Sequence, residues 1–407
     1  MSSEAYAWVW LPGQRDPVVC GVLSVRGDQV DFTYGRSYRE RPGAVALYTP
    51  ELPLQAGRQE PLAGLTMAGV INDAGPDSWG QRVIDYRLQA ARTSGAPPVG
   101  PLTYLLEAGS DRIGALDFQP SSGLYTPRAQ SATLEDLARA AECVETGSEI
   151  PAALERALLG GSSVGGARPK ALLTDGTRKL IAKFPSVTDT YPVERGEFVA
   201  MTLAARAGLN VAPVTLTRAM NRDILLVERF DRPSDGSRRM VVSALTIMGL
   251  SAVASTRDAS YLTLAQRLRE IGSSPKADLY ELFARITFNI LVGNTDDHAR
   301  NTAAFWDGQQ LRLTPAYDIS PAPRGGGQAN QAMEIGPGFR RSQLAGCIAA
   351  AGRYLLSTRQ AQEIVEHQVS TIRACWDDVT DMGRMTQAEK DRYWGSAFLN
   401  PYVFYED

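Results

Sequence analysis

Within GNTDDHARN, residues Gly293 to Asn301, Asp296 and Asn301 stand five positions apart with His298 between them, giving Asp-x-His-x-x-Asn. A carboxylate at the first position can orient a hydroxyl and take its proton, and an amide oxygen at the last can ligate a hard cation. Asp318 follows in LTPAYDIS, seventeen residues beyond Asn301. The intervening FWDGQQLRL reads as a hairpin that delivers this second carboxylate. Two carboxylates and an amide oxygen suit Mg²⁺, which prefers oxygen ligands and keeps several waters. Positioning an acceptor hydroxyl, holding Mg²⁺ and neutralising charge are what phosphoryl transfer requires of a protein.

The nine residues by themselves also fit a solvated turn. A transition-metal site is a weaker reading, because the only other histidine, His367, is isolated on an expected helix. What favours phosphoryl transfer lies upstream. Lys183 ends the apolar run LIAKF, where a lysine in a sheet can reach the α- and β-phosphates of ATP. Glu197, on the next expected helix, is the candidate to orient that ammonium. The loop GGSSVGGARPK supplies glycines that let backbone N–H groups approach phosphate around Ser163, Val164, Gly165 and Gly166, with Lys170 as a further cation. It does not match GxxxxGK[ST], which disfavours a Walker-type loop. Phosphorylation of Ser162 or Ser163 would put a dianion where ATP phosphates should bind. VERFDR is the expected hinge, whose backbone around Glu228, Arg229 and Phe230 could meet adenine. Within the DDH triplet, Asp297 is expected to face solvent.

The elements that must position these residues are legible as patterns. YAWVWLPG, VVCGVLSVRGDQVDFTYG and AVALYTP read as short β runs, with a hairpin at the Gly-Asp of VRGDQV. PDSWGQRVIDYRLQAAR opens with capping chemistry and continues with helical spacing. DRIGALDFQP reads as another strand, and a linker and helix follow. After the glycine loop come two strands about a TDGT turn, the helix RGEFVAMTLAARAG with Gly208 as its C-terminal cap, and two strands about MNRD. Beyond that the chain reads mostly helical, notably LYELFARITFNILVG. Glycine loop, paired strands with a lysine, helix, paired strands and a helical half is the layout of a two-lobed nucleotide-binding kinase. A Rossmann domain would need alternating βα units and a different glycine fingerprint.

Bulk properties agree. With 407 residues the chain is long enough for two or three packed units, and 44% hydrophobic with 21% charged residues is ordinary globular composition. No apolar run approaches the roughly 18 residues of a membrane span, and the N-terminus lacks an export pattern, so the cytoplasm is the expected compartment. Four scattered cysteines form no CxxC pair and are expected to be structural. Net charge is −3, without a basic block, so any DNA contact would rest mainly on a partner.

Taken together, SSVGGARPKALL, IAKF, GEFVAMTLAARAGLNV, VERFDR, GNTDDHARN and LTPAYDIS resemble the successive motifs of HipA-type serine/threonine kinases, toxins of bacterial toxin–antitoxin pairs. PDSWGQRV and DRIGALDF look like the N-terminal subdomain of full-length HipA proteins. The resemblance implies an α+β, two-lobed protein-kinase-like fold: an N-terminal subdomain over 1–125, a nucleotide-binding small-lobe part over 126–235, and a helical C-terminal lobe over 236–407. It makes Asp296 the catalytic aspartate, Asn301 and Asp318 the Mg²⁺ ligands and Lys183 the phosphate-binding lysine, with His298 beside the nucleotide. Ser163, or its neighbour Ser162, matches the serine such kinases phosphorylate on themselves to switch off. The family further implies ATP as phosphate donor, an aminoacyl-tRNA synthetase (the glutamyl enzyme first) as protein substrate, and growth arrest as outcome. Its partners would be a HipB-like antitoxin and, mainly through it, operator DNA, which would bring the protein to the nucleoid. ARPK replaces the glutamine and glutamate of the best-known members, so this chain resembles another branch. Two other classes stay open: a catalytically silent corepressor or binding module, and a metal-dependent hydrolase using the aspartates and His298.

Overall fold

Short β-rich runs separated by turns make the N-terminal stretch a sheet. In the computed structural model, which describes residues 3–89, 99–128, 132–149, 151, 154 and 166–405, β1 (Glu4–Val9), β2 (Val18–Arg26) and β3 (Gln29–Tyr34) pair antiparallel. Arg26 faces Gln29 across the expected Gly-Asp turn, where Gly27 takes φ +56°. With β4 (Arg58–Gln59) and β5 (Leu116–Gln119) they form a five-stranded sheet in the order β4–β3–β2–β1–β5. The AVALYTP run is not a strand, contrary to its apolar pattern. Tyrosine and tryptophan side chains take its backbone groups: Leu47 N–H donates to Tyr34 Oη at 2.8 Å, Tyr38 Oη to Val45 O at 2.8 Å, and Trp306 Nε1 to Ala46 O at 2.9 Å. With those groups satisfied, the segment needs no ladder.

Helix α1 (Ser78–Gln89) begins where Asp77 Oδ1 accepts from Ser78 N–H at 2.8 Å, satisfying one of the amides a helix start leaves open. Helix α2 (Leu134–Thr146) is capped by Thr133, which accepts from Asp136 N–H, and ends at Gly147 with φ +67°. β6 (Lys170–Asp175), β7 (Arg178–Lys183), β8 (Val214–Ala219) and β9 (Arg222–Glu228) build a second sheet in the order β6–β7–β9–β8. The MNRD turn joining β8 to β9 puts both Met220 and Asn221 at positive φ. Trp79 and Val83 of α1, Leu137, Ala140 and Val144 of α2, and Ala171, Ala182 and Ile224 of the sheet share one buried core. The N-terminal region is thus packed into the second sheet.

Apart from residues 214–216 at the start of β8, these parts belong to the first of two compact units, made of 1–188, 217–242 and 305–309; the second comprises 189–216, 243–304 and 310–407. The second unit is mostly helical. It holds α3 (Val193–Arg206), α4 (Tyr261–Ile271), α5 (Pro275–Leu291) and α6 (Thr358–Met382). Gly208 follows α3 at φ +83°, as its expected capping role requires. α5 is buried from Leu282 to Leu291 and packs against α4 and α6, while α6 packs against α3. β10 (Met240–Ser243) leads into this unit, and β11 (Ala303–Trp306) and β12 (Leu311–Leu313) are the strands of the FWDGQQLRL hairpin. Among the described residues no helix is long and apolar enough to cross a membrane.

Candidate functional site

The apolar helix α5 stops at Gly293, whose φ is +70° and where a β-carbon would sit 2.9 Å from the Ala397 backbone. Only glycine meets both conditions. Asn294 N–H closes the helix end onto Asn289 O at 2.9 Å, and Gln331 Nε2 holds Asn294 O at 2.9 Å. The loop therefore leaves a fixed point. Asn301 N–H donates to His298 O at 2.8 Å and Asn301 Nδ2 to Asp296 O at 2.9 Å, folding the loop into a turn. With Nδ2 so engaged, the amide keeps Oδ1 as its acceptor.

Asp296 and His298 are exposed, and Asp297 between them points the other way. Asp297 is 2% exposed, contrary to its expected solvent-facing role. Tyr261 Oη donates to its Oδ2 at 2.6 Å and Ala332 N–H to its Oδ1 at 3.0 Å. Burial pushes this carboxyl up to about 6, against the opposing pull of the Tyr261, Gln331 and Ala332 donors. Asp297 is thus an anchor inside the second unit, and its inward turn sends its two neighbours outward.

Asp318 reaches the same neighbourhood. Tyr317 Oη donates to Arg300 O at 2.7 Å, tying its segment to the loop, and Asp318 adopts φ +59°, a region non-glycine residues rarely occupy. Such strain persists only where the surroundings impose it and gathers at functional sites. Partial desolvation raises the Asp296 carboxyl above the ordinary aspartate range; the His298 ring opposes that, and the Asp318 charge adds to it. Asp296, His298, Asn301 and Asp318 are therefore brought together. In chemical type, two carboxylates and an amide oxygen are the hard-oxygen donors that fit Mg²⁺. Among the described residues no three His, Cys, Asp or Glu side chains cluster as metal ligands.

In the first unit, Lys170 and Lys183 are direct cross-strand partners in β6 and β7, and Lys183 also faces Leu225 of β9. Opposed residues on adjacent strands share a face, so two ammonium groups are held on one side of the sheet. Gly166 takes φ +103°, and a β-carbon there would collide with Lys170 Nζ. Ser162, Ser163, Val164 and Gly165 lie outside the described residues. Glu228 pairs with Leu180, and Arg229 N–H donates to Lys179 O at 2.9 Å. The Arg229 guanidinium is buried, contacting Asp111 at 3.0 Å and Asp231 at 2.8 Å, and Asp231 accepts from Gly114 N–H at 2.7 Å. VERFDR and DRIGALDF thus interlock. Despite a desolvation that would raise them, Arg229 and Arg232 hold the Asp111 and Asp231 carboxyls below the ordinary range. Phe230 meets Phe305 edge-on with ring centroids 5.7 Å apart. Glu197 lies on α3 in the second unit and is buried.

Sequence reasoning missed two features. The inward role of Asp297 had no local signal, because its partner Tyr261 is 36 positions away. Asp77 showed only as a cap, yet its Oδ2 also accepts from Gly166 N–H at 3.0 Å across 89 positions.

Comparison with known proteins divides the chain in sequence, not along the two compact units. Residues 9–119 match the HipA N-terminal domain and residues 162–376 the HipA-like C-terminal domain. The chain is 29% identical over 266 residues to Y4mE of Sinorhizobium fredii, covering 57% of this chain and 60% of that protein. It is 27% identical over 240 residues to the serine/threonine-protein kinase toxin HipA of Shewanella oneidensis, covering 52% of this chain and 54% of that protein. The matches thus span little more than half the length of these curated relatives. A solved HipA chain, from the Shewanella oneidensis MR-1 complex of HipA, HipB and operator DNA, superposes with a TM-score of 0.67 at 20% identity, over 98% of this chain and all of that one. The expected two-lobed HipA kinase-like fold is therefore the observed one. With more than half of its residues matched, the chain belongs to the HipA-like C-terminal domain family.

Proposed function

We propose that this protein is an ATP-dependent serine/threonine protein kinase, the toxin of a HipBA-like toxin–antitoxin module. The observation that supports the reading is that Asn301 is hydrogen-bonded to the Asp296 carbonyl while Asp318 lies within electrostatic reach of the Asp296 carboxyl, the kinds of side chain that phosphoryl transfer uses. In this reading Asp296 accepts a hydrogen bond from the acceptor serine hydroxyl, orients it and takes its proton as the oxygen–phosphorus bond forms. ADP departs with the electrons of the broken bond. Asn301 Oδ1 and the Asp318 carboxylate would hold Mg²⁺, which supplies charge neutralisation to the phosphates when bound. Lys183 and Lys170 stabilise phosphate charge, Gly166 lies against Lys170, and His298 lies beside the nucleotide. Because the Arg229 amide is already donating, adenine recognition from this segment falls to the Glu228 and Phe230 backbone. Glu197 is the proposed lysine-orienting group.

The finer features are proposals of the same kind. The protein substrate is an aminoacyl-tRNA synthetase, with the glutamyl enzyme as first candidate, and its phosphorylation arrests translation and growth. Ser163, or Ser162, is the self-phosphorylated position that switches the kinase off. A HipB-like antitoxin neutralises the protein and carries most of the operator DNA contacts; the HipB and DNA in the similar solved complex support this. The cytoplasm is the proposed compartment, with nucleoid association when bound to antitoxin.

Phosphoproteomics of cells expressing the wild type or Asp296→Ala tests the reading. A serine phosphopeptide gained only with the wild type supports it and names the target. Antitoxin binding with no phosphopeptide gained would instead favour the silent corepressor.

A further inference from the structure

The exit of the glycine loop is fastened to the N-terminal region, not to its own sheet alone. Asp77 uses both carboxylate oxygens at the start of α1: Oδ1 accepts from Ser78 N–H at 2.8 Å and Oδ2 from Gly166 N–H at 3.0 Å. The next residue but one completes the grip. Trp79 N–H donates to Gly166 O at 3.0 Å, and Trp79 Nε1 donates to Lys170 O at 2.9 Å. Both backbone polar groups of Gly166 are therefore held by residues 77–79, and so is the carbonyl of the lysine that begins β6. Trp79 is 1% exposed and sits in the core shared by α1, α2 and the second sheet, so the anchor cannot drift without opening that core. Phe184 N–H donates to Pro169 O at 3.0 Å, securing the intervening turn to the residue after Lys183.

We infer that Asp77 and Trp79 are positioning residues for the nucleotide phosphates: they set the height and direction of Gly166 and Lys170, and so couple the N-terminal region to ATP affinity. The inference rests on the kinase reading above. Physically, a loop that must present amides and an ammonium to a polyanion binds best when its geometry is fixed beforehand, because ordering it on binding costs affinity. A carboxylate accepting a backbone amide is a charge-assisted bond, among the stronger ones available. It also fixes a glycine at φ +103°, where the backbone has no side chain to hold it.

The test uses the full chain. Hydrogen exchange of peptides covering 166–170, and the affinity and KM for Mg²⁺-ATP, are measured for the wild type, Asp77→Ala, Asp77→Asn and Gln81→Ala. Gln81 donates to Pro76 O in the same helix turn and, among the described residues, makes no hydrogen bond to Gly166 or Lys170, so it serves as the control. Asp77→Ala should speed exchange at 166–170 and raise KM for ATP about ten-fold or more, the scale of a lost charge-assisted bond. Asp77→Asn, which keeps one acceptor oxygen, should fall between, and Gln81→Ala should match the wild type. Unchanged exchange in Asp77→Ala would overturn the anchor. Faster exchange with unchanged KM would overturn the positioning role. If Asp77→Ala does not fold, Trp79→Phe carries the same test, since it keeps a ring in the core and removes only the bond to Lys170 O. If the wild type binds no Mg²⁺-ATP, the kinase reading fails and the positioning role with it, while the exchange comparison still reports whether residues 77–79 hold the loop.

Discussion

Replacing Tyr261 by Phe isolates the inward anchor of the loop over 293–301. The Tyr261 hydroxyl donates to the Asp297 carboxylate at 2.6 Å, with Ala332 N–H at 3.0 Å on the other oxygen and the Gln331 side chain as a further donor. Asp297 is buried, and its desolvation pushes the carboxyl up to about 6 from the ordinary 3.8, a displacement worth ~3 kcal/mol against the ionised form. The sign follows directly. The folded state holds this proton more tightly than the unfolded chain, so Asp297 lowers stability as pH rises from about 4 through about 6. Removing the hydroxyl costs little while Asp297 is protonated, about 0.5–1.5 kcal/mol, but leaves a buried anion short of a donor at higher pH, about 1.5–3 kcal/mol. Urea unfolding at pH 5 and pH 8 should therefore give a Tyr261→Phe destabilisation that grows by about 1 kcal/mol or more between the two. Asp297→Asn should abolish that growth in the double variant. Equal destabilisation at both pH values, or growth that persists in the double variant, would refute the anchor as described.

Gly293→Ala should destabilise by about 2–4 kcal/mol, since it forces a side chain into φ +70° and against the Ala397 backbone at 2.9 Å; thermal unfolding reads this directly. Arg229→Met should cost about 3–5 kcal/mol by leaving Asp111 and Asp231 with one guanidinium fewer. Both carboxyls are held low in the folded state, so the network's contribution is present above the ordinary aspartate range and lost as pH falls below it. An acid-unfolding profile should accordingly be steeper for the wild type than for Arg229→Met. Lys183→Met should weaken Mg²⁺-ATP binding about ten-fold or more while changing stability by no more than about 1 kcal/mol, because it faces another lysine across β6 and β7. Calorimetric titration with a non-hydrolysable ATP analogue checks it.

Local signals were legible wherever one stretch of chain decides its own structure. The Gly27 hairpin, the MNRD turn, the α5 run ending at Gly293 and the β11–β12 hairpin all follow from turn chemistry or apolar periodicity. The spacing of Asp296, Asn301 and Asp318 was likewise readable, since the loop and hairpin between them fix their separation. AVALYTP failed because burial pattern alone does not say which groups will take a segment's backbone hydrogen bonds, and here distant Tyr34, Tyr38 and Trp306 do. Asp297 failed for a related reason. A charged residue in a polar loop is expected in water, and donors supplied by other segments, Tyr261, Gln331 and Ala332, make its burial tolerable. The grip of Asp77 on Gly166 and of Arg229 on Asp111 spans about a hundred positions, beyond any pattern of neighbours.

The central claim is that Asp296 serves phosphoryl transfer. Purified wild type and Asp296→Ala, each shown folded by circular dichroism, are incubated with Mg²⁺ and γ-labelled ATP in the presence of candidate synthetases. Labelled phosphoserine is expected with the wild type and none with Asp296→Ala, although the variant still binds the nucleotide. Equal labelling by the folded variant, or none by a wild type that binds ATP, would contradict it.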